Sequence, residues 1–170
     1  RTDANVFVTL GYGGSIILGF NGNVINGPGA DLEIVETSFG NMGCEAYPEY
    51  ADVYLSQDGS NWFFAKTVCK SDQFVDISDA GPFSTIKFVK LVNNDELSTT
   101  FDAYDLDGIA AIHGCVPDEP NFEMHCYPDF VVEYNQGVKN NGSPIDPART
   151  DENEALGEPE RTDENVFVTL

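Results

Sequence analysis

Residues 51–65 read ADVYLSQDGSNWFFA, and this stretch decides the fold class. Its first six residues alternate in polarity, with Val53 and Leu55 on one face of a predicted strand. An Asp-Gly turn at 58–59 follows, and the apolar run WFFA comes directly after it. This order predicts a β-hairpin whose loop is slightly longer than two residues.

Short runs of the same kind occur on both sides of this hairpin, separated by turn-forming residues and without a sustained helical period. One turn is predicted at Asn21-Gly22-Asn23. The predicted strands are 15–20 (SIILGF), 32–35, 86–92, 109–112 and 130–134. Together with the hairpin they give seven or more strands, which predicts an all-β protein built as a β-sandwich or jelly roll.

The two ends of the chain repeat one segment. Residues 1–10 read RTDANVFVTL and residues 161–170 read RTDENVFVTL, so they differ only at Ala4 and Glu164, and the offset is 161 − 1 = 160 residues. Such a repeat is typical of tandem units in one long polypeptide, or of subunits that exchange an equivalent strand. Both arrangements predict copies joined head to tail in a filament or stalk.

The charge is strongly acidic, with 8 Lys plus Arg against 29 Asp plus Glu and a formal net charge of −21. Such a surface repels phosphate and anionic lipid, which argues against nucleic acid and membrane surfaces as partners. No stretch approaches the roughly 18 apolar residues of a membrane helix, so membrane insertion is not expected. An acidic surface attracts divalent cations instead.

The four cysteines form an even set, for which three pairings are possible. We favour Cys44 with Cys69 and Cys115 with Cys126, the second closing a short loop across two prolines. Zinc is the competing interpretation, but the sequence has no C-x-x-C spacing and only two histidines. Disulfides predict an extracellular or cell-surface location.

Two groups of carboxylates are candidates for a calcium site. Calcium binds six to eight hard oxygen ligands, and aspartates spaced by two near a strand end can supply several of them together with loop carbonyls. The groups are Asp102, Asp105 and Asp107 ahead of one apolar strand, and Asp31, Glu33 and Glu36 around another. An EF-hand is excluded because its loop would place Ala103 and Gly114 at ligand positions.

Catalysis has little support, and we do not expect an enzyme. His113 ends an apolar strand without a serine or cysteine motif to accompany it. The aromatic run 62–64 could stack on a sugar, but alternation along a strand predicts that at least one of its side chains belongs to the core. Glycans are therefore expected as partners only in a second, less favoured interpretation.

Four stretches taken in order resemble a family of bacterial cell-surface and secreted domains with the motifs GPGADF-V-E and FDLDAV-AI. The stretches are 13–41 (GGSIILGFNGNVINGPGADLEIVETSFGN), 51–62 (ADVYLSQDGSNW), 87–95 (KFVKLVNND) and 104–114 (YDLDGIAAIHG). This resemblance implies a galactose-binding-like jelly roll. It also implies that calcium ligands, or supports of the ligand loops, lie at Asp31, Glu36, Asp105 and Asp107. Gly108 stands where the family usually has Ala.

The C-terminal segment is similar to the beginning of such domains, because 131–137 (VVEYNQG) and 149–159 (RTDENEALGEP) match motifs that precede the first strand there. The change in composition after Cys115, with three prolines in 116–129, predicts a linker or ordered loop at 117–129 after a sandwich core at 1–116. The terminal repeat and the resemblance together imply that the segment 130–170 completes the next copy. The residues expected at that junction are Val131, Tyr134, Val166, Val168 and Leu170.

The expected function is therefore a non-enzymatic structural protomer of an extracellular filament or surface adhesin stalk. Its copies join head to tail by strand donation or by tandem repetition, and calcium stabilises them. The alternative is a carbohydrate-binding module of a bacterial surface protein, in which repetition provides avidity.

Overall fold

A computed structural model describes residues 7–37, 43–70, 72–117 and 126–159, and within these ranges the chain is mainly strand. The strands are β1 (Val8–Thr9), β2 (Ser15–Ile25), β3 (Leu32–Glu36), β4 (Ala51–Ser56), β5 (Phe63–Val68), β6 (Phe74–Val75), β7 (Thr85–Asn93), β8 (Asp105–Ala111), β9 (Cys115–Pro117) and β10 (Phe130–Asn135). The helical elements are α1 (Ile77–Ala80) and two 3-10 turns, Pro147–Arg149 and Glu152–Ala155.

The strands form two antiparallel sheets packed face to face, which confirms the predicted all-β sandwich. One sheet has the order β1-β8-β3-β6. The other has the order β10-β2-β7-β4-β5, with β9 paired to β2. Apolar side chains from both inner faces fill the space between them, and burial of each such side chain contributes about 1.5–3 kcal/mol.

The predicted hairpin is confirmed as β4 and β5, which pair from Ala51 with Val68 to Leu55 with Phe63. Val53 and Leu55 are fully buried, as their alternation predicts. A bulge at Ala65 interrupts the pairing, because Val53 pairs with Lys66 while Tyr54 pairs with Phe64.

The prediction for the aromatic run after the hairpin turn was wrong. Phe63 and Phe64 are 43% and 50% exposed and Trp62 is only partly buried, so none of the three belongs to the core. The reason is that β5 is the outer strand of its sheet and carries the bulge, which breaks the alternation.

Two further predictions of local structure are corrected. Instead of turning at 21–23, the chain continues as β2 to Ile25, because β9 pairs with that part of the strand. The strand predicted at 109–112 begins four residues earlier, at Asp105, because β3 pairs with it along its length. Asp105 and Asp107 therefore lie within a strand, where their carbonyls belong to a sheet rather than to a loop.

The C-terminal segment packs on the sandwich of its own chain. β10 pairs with β2, and Val131 and Tyr134 pack against the core. Ala155 is fully buried. The prediction that residues 130–170 complete a neighbouring copy concerns contacts between two chains, and it stays a prediction. Val166, Val168 and Leu170 lie outside the described residues.

The cysteines pair as favoured, Cys44 with Cys69 and Cys115 with Cys126, and both pairs have Cα atoms 5.7 Å apart. None of the four remains a free thiol, so the zinc interpretation does not hold. The second disulfide ties the beginning of β9 to the beginning of the segment that carries β10. Within the described ranges, no helix has the length and apolar character needed to cross a membrane.

Candidate functional site

Residues 7–10, the last four of the first copy of the repeated segment, occupy a slot in the sandwich. Phe7, Val8, Thr9 and Leu10 are at most 1% exposed. Val8 pairs with Leu106 and Thr9 with Asp105, so β1 forms the outer strand of its sheet. The amide of Leu10 donates a hydrogen bond of 2.9 Å to the carbonyl of Tyr104. We call the place occupied by residues 7–10 the strand slot.

The C-terminal segment closes the strand slot from the other side. The hydroxyl of Tyr134 and the amide of Gln136 each donate a hydrogen bond of 3.0 Å to the carbonyl of Thr9. The backbone amide of Gly137 donates one of 2.9 Å to the carbonyl of Leu10. The backbone of residues 9 and 10 thus receives hydrogen bonds from the C-terminal segment on the side away from β8, so two parts of the chain hold this strand.

Two glycines allow this close approach of three backbone segments. A Cβ atom at Gly14 would lie 1.9 Å from the carbonyl oxygen of Leu10. One at Gly137 would lie 2.4 Å from the carbonyl oxygen of Tyr12. Any side chain at either position would therefore collide with backbone, which has no room to move.

Buried carboxyl groups lie beside the strand slot. Glu36, Glu49, Asp105 and Asp107 are only 1–4% exposed. We call Glu36, Glu49 and Asp105 the carboxylate cluster, because the carboxyl group of Glu49 lies beside that of Glu36 and within electrostatic range of Asp105. The cluster joins the end of β3, the loop before β4 and the start of β8.

The strand slot and the carboxylate cluster share a hydrogen bond. The hydroxyl of Thr9 donates to Oδ1 of Asp105 over 2.5 Å. Ala103, two residues before Asp105, has a φ of 67°, which is unusual for a residue other than glycine. This turn allows the chain to bring Asp105 into the sheet beside the repeated strand.

Arg149 supplies positive charge at the same place. Its guanidinium bonds Oδ2 of Asp102 at 2.6 Å and lies 3.8 Å from Oδ2 of Asp105. It also stacks over the ring of Phe7, with 5.0 Å from Cζ to the ring centroid. One arginine from the C-terminal segment therefore contacts both the repeated strand and the acidic groups.

The electrostatics of the cluster are unfavourable for ionised carboxyl groups. Burial raises the pKa of Glu49 to about 10, and the charge of Asp105 and the adjacent Glu36 carboxyl group act in the same direction. Burial also raises the pKa of Asp105 well above its ordinary value, against the hydrogen bond from Thr9. Burial therefore favours the protonated, neutral form of both carboxyl groups.

The structure separates the carboxylates that the resemblance implied as ligands. Asp31 lies at the other end of β3 from Glu36, about 16 Å away at the usual rise of a strand. Its two oxygens accept hydrogen bonds from the amides of Gly27 at 2.6 Å and Ile77 at 2.8 Å. Asp31 thus holds two loops together and does not join the carboxylate cluster.

Asp107 lies on the same strand as Asp105, and the Thr37 hydroxyl is 3.4 Å from its Oδ2. Glu49 was missed by the sequence analysis. It lies in a loop and outside any motif, so its only signal would have been a contact between distant parts of the chain. Among the residues that the structure describes, no three His, Cys, Asp or Glu side chains already stand in position to share one metal ion.

A second candidate surface lies on β5. This strand and β10 form the two opposite edges of the sheet β10-β2-β7-β4-β5. Phe63 packs against Phe83 with ring centroids 4.9 Å apart, and Phe64 packs against Tyr54 at 5.6 Å. A hollow of about 220 Å³ is lined by polar and aromatic side chains, namely Gln57, Asp58, Asn61, Phe63 and Phe83.

Comparisons of the chain with protein-family models, with curated proteins and with solved structures find no match.

Proposed function

We propose that the chain is a structural, non-enzymatic protomer of an extracellular filament or surface stalk whose copies join head to tail through the strand slot. One observation carries this proposal. The slot buries residues 7–10 completely, and residues 167–170 have the identical sequence FVTL. A slot that accepts the first copy of this strand therefore accepts the second.

The contacts of the slot suit a polymer junction. Backbone hydrogen bonds from β8 and from the C-terminal segment give direction, and the buried side chains give specificity. A contact between the C-terminal strand of one copy and the slot of the next is heterologous, so it continues without closing. In a tandem polypeptide, the same segment would serve as the last strand of one unit and the first of the next.

The two disulfides and the composition favour an extracellular setting for this assembly. A net charge of −21 would keep long polymers apart from each other in solution. Calcium belongs to the proposal as the cation that offsets part of this charge and stiffens the protomer.

A pair of matched substitutions tests strand donation, because Val8 and Val168 occupy the same place in the two copies of the segment. Val168→Asp places a charge where the slot buries an apolar side chain, so we expect no filaments in electron micrographs. The described sandwich is complete without residue 168, so its melting temperature should stay unchanged.

Val8→Asp should have the opposite effect, because it expels the chain's own strand and opens the slot to residues 167–170 of a neighbour. We expect assembly at lower protein concentration than for the wild type. Wild-type filaments from Val168→Asp would contradict strand donation. A denaturing gel distinguishes separate subunits, at 18.6 kDa for this chain, from a tandem polypeptide of much higher mass.

The second candidate function is a carbohydrate-binding module, favoured by the exposed aromatic and polar hollow on β5. Phe63→Ala would remove the ring that lines this hollow. Glycan-array binding that is lost in Phe63→Ala, by isolated protomers that form no filaments, would support this function over the first.

A further inference from the structure

The last residue that the structure describes lies at the entrance of the strand slot. β1 runs antiparallel to β8, and Val8 pairs with Leu106. The end of the slot that holds Phe7 is therefore the end nearer to Gly108. Pro159 packs at this place, because a Cβ atom added to Gly108 would lie 3.2 Å from its Cγ and 3.4 Å from its Cα. The C-terminal segment thus leads the chain to the point where a strand enters the slot.

The C-terminal segment is firmly held at this position. Ala155 is fully buried, and Leu156 packs against the core. The amide of Gly157 donates a hydrogen bond of 3.1 Å to the carbonyl of Pro128. The second 3-10 turn contacts both β8 and β1. Pro159 is therefore a fixed starting point for the residues that follow it in the sequence.

The connection to the second copy of the strand is long enough to reach the slot. Residues 160–166 separate Pro159 from Phe167, which gives 167 − 159 = 8 steps between Cα atoms. Fully extended, these steps span at most about 26–29 Å. The slot lies beside the strand that carries Gly108, and neighbouring strands are about 4.8 Å apart. Seven residues exceed the median connection in compact domains only slightly, so the described part of the chain need not move.

The two copies offer the slot the same side chains, because residues 7–10 and 167–170 both read FVTL. Whichever copy is bound, its valine fills the buried place of Val8, and its threonine hydroxyl reaches Asp105 as that of Thr9 does. The contacts of the slot therefore do not distinguish the copies. The connections that lead to the two strands decide between them.

We propose that residues 167–170 bind in the strand slot of their own chain, in exchange with residues 7–10. Residues 7–10 are favoured, because they continue directly into Gly11, whereas the second copy must order residues 160–166. A strand on a short connection acts like a millimolar concentration of free strand, so at micromolar protein it outcompetes the strands of other chains by a factor on the order of a thousand. The exchange follows from sequence identity and geometry and does not require filaments.

This exchange regulates assembly, a consequence that rests on the proposed function. A chain closed by its own second copy has no empty slot and no free C-terminal donor. Each chain thus contains two competitors for the strand of a neighbour, which keeps dilute chains apart. Val8→Asp removes one of these competitors, so it should still assemble at lower concentration than the wild type.

Hydrogen exchange followed by mass spectrometry tests the proposal, because Ala4 in one copy and Glu164 in the other give their peptides different masses. Val8→Ala and Val168→Ala are matched variants that remove the same two methyl groups from one copy or the other. We expect Val8→Ala to slow deuterium uptake in the second copy at least threefold and to speed it in the first. Val168→Ala should leave the first copy as protected as in the wild type. Uptake in the second copy that Val8→Ala leaves unchanged would overturn the proposal.

Dilution distinguishes a strand of the same chain from a strand of a neighbour. Exchange within one chain does not depend on protein concentration, so the protection gained in Val8→Ala should persist on dilution, and sedimentation should show monomers. Protection that disappears on dilution would mean that neighbouring chains supply the strand. That result would overturn the exchange within a chain and support the proposed function instead.

Aspartate substitutions give a second and larger readout, because a charge does not fit the buried place of the valine. At low concentration Val8→Asp should keep a cooperative thermal transition, since the second copy replaces the first. Val8→Asp/Val168→Asp should melt at a clearly lower temperature. Val8→Asp/Val132→Asp is the matched control, because Val132 on β10 is exposed, and it should melt like Val8→Asp. Equal melting of Val8→Asp and Val8→Asp/Val168→Asp would contradict the exchange.

Failure of the two proposals is distinguishable. Protection that is independent of concentration, without any filaments, would contradict the proposed function and leave the exchange standing. Filaments formed by chains that show no exchange between their own two copies would contradict this inference alone.

Discussion

A carboxyl group is buried at each end of β3, but the groups that surround it differ between the two ends. At the first end, Asp31 receives one backbone amide on each oxygen, from Gly27 and from Ile77. At the other end, the carboxyl group of Glu36 lies beside that of Glu49 and near the charge of Asp105, and both Glu49 oxygens are buried without a backbone amide of the described residues as donor. The first arrangement holds loops together, and the second places acidic side chains beside one another in the interior.

This difference shows that burial of an acidic residue does not by itself indicate a metal site. A carboxylate whose acceptor sites are filled by amides is a structural element with a stable charge. A carboxylate that is buried beside other acids, without enough donors, leaves interaction energy available for a ligand. The contrast can be tested at each end of β3 and along the strand slot.

Removal of Asp31 should have the largest effect. Asp31→Ala leaves the amides of Gly27 and Ile77 without their acceptor, and each hydrogen bond to a charged group contributes about 1.5–3 kcal/mol. We expect the free energy of unfolding to fall by about 3–5 kcal/mol in urea titrations, equally in calcium and in chelator. A loss that appears only in calcium would make Asp31 a ligand after all.

Removal of Glu49 should change the response to calcium instead of the basal stability. At a calcium concentration of 100 times the dissociation constant, the ion should stabilise the wild type by about 2.7 kcal/mol, and Glu49→Gln should lose most of this gain. In chelator, the variant should be about as stable as the wild type at neutral pH, because burial raises the pKa of Glu49 to about 10 and its carboxyl group is already protonated and neutral. Urea titrations in the two conditions give both values.

The sandwich could be predicted because its signals are local. The alternation of residues 51–56, the Asp-Gly turn and the short apolar runs each depend on neighbouring residues, and each disulfide joins cysteines that are consecutive in the sequence, as favoured. The wrong predictions concern residues whose local structure depends on pairing with a strand that is distant in the sequence. Pairing with β9 extends β2 through its apparent turn, and the bulge on β5 exposes Phe63 and Phe64.

The candidate site was only partly predictable for the same reason. The sequence indicated Glu36 and Asp105 as acidic groups near strand ends, but placed Asp31 with them although a whole strand separates it from Glu36. Glu49 had no motif to identify it, since its inward position depends on the pairing of its loop with residues 94–99. Contacts between distant segments, unlike periodicity, leave no local signal in a single sequence.

Thr9 tests whether the unsatisfied end of β3 is coupled to the repeated strand. Its buried hydroxyl donates to Asp105, so Thr9→Val should lower the free energy of unfolding by about 1.5–3 kcal/mol. The matched change Thr67→Val removes a part-buried hydroxyl that donates to Asp52 on the hairpin. We expect a smaller loss there and no change in calcium affinity. If the two variants had equal effects on calcium binding, the strand slot and the carboxylate cluster would not be coupled.

Tyr134 gives the smallest expected effect, because it holds the repeated strand from the side away from the cluster. Burial raises the pKa of its hydroxyl, and the charges of Glu152 and Asp105 act in the same direction. The folded state therefore keeps the proton at pH values where the unfolded chain, with an ordinary pKa near 10, has lost it. Stability from this group is fully present below pH 10 and should decline above it.

Tyr134→Phe should remove that part of the alkaline decline and lower the free energy of unfolding at pH 7 by about 1 kcal/mol, the contribution of the hydrogen bond to the Thr9 carbonyl. Because this contact is to backbone and not to a carboxylate, the response to calcium should be the same as in the wild type. Urea titrations at pH 7 and pH 11, each with calcium and with chelator, measure all three quantities. A weaker calcium response in Tyr134→Phe would mean that the ion acts on the whole slot and not through Thr9 and Asp105 alone.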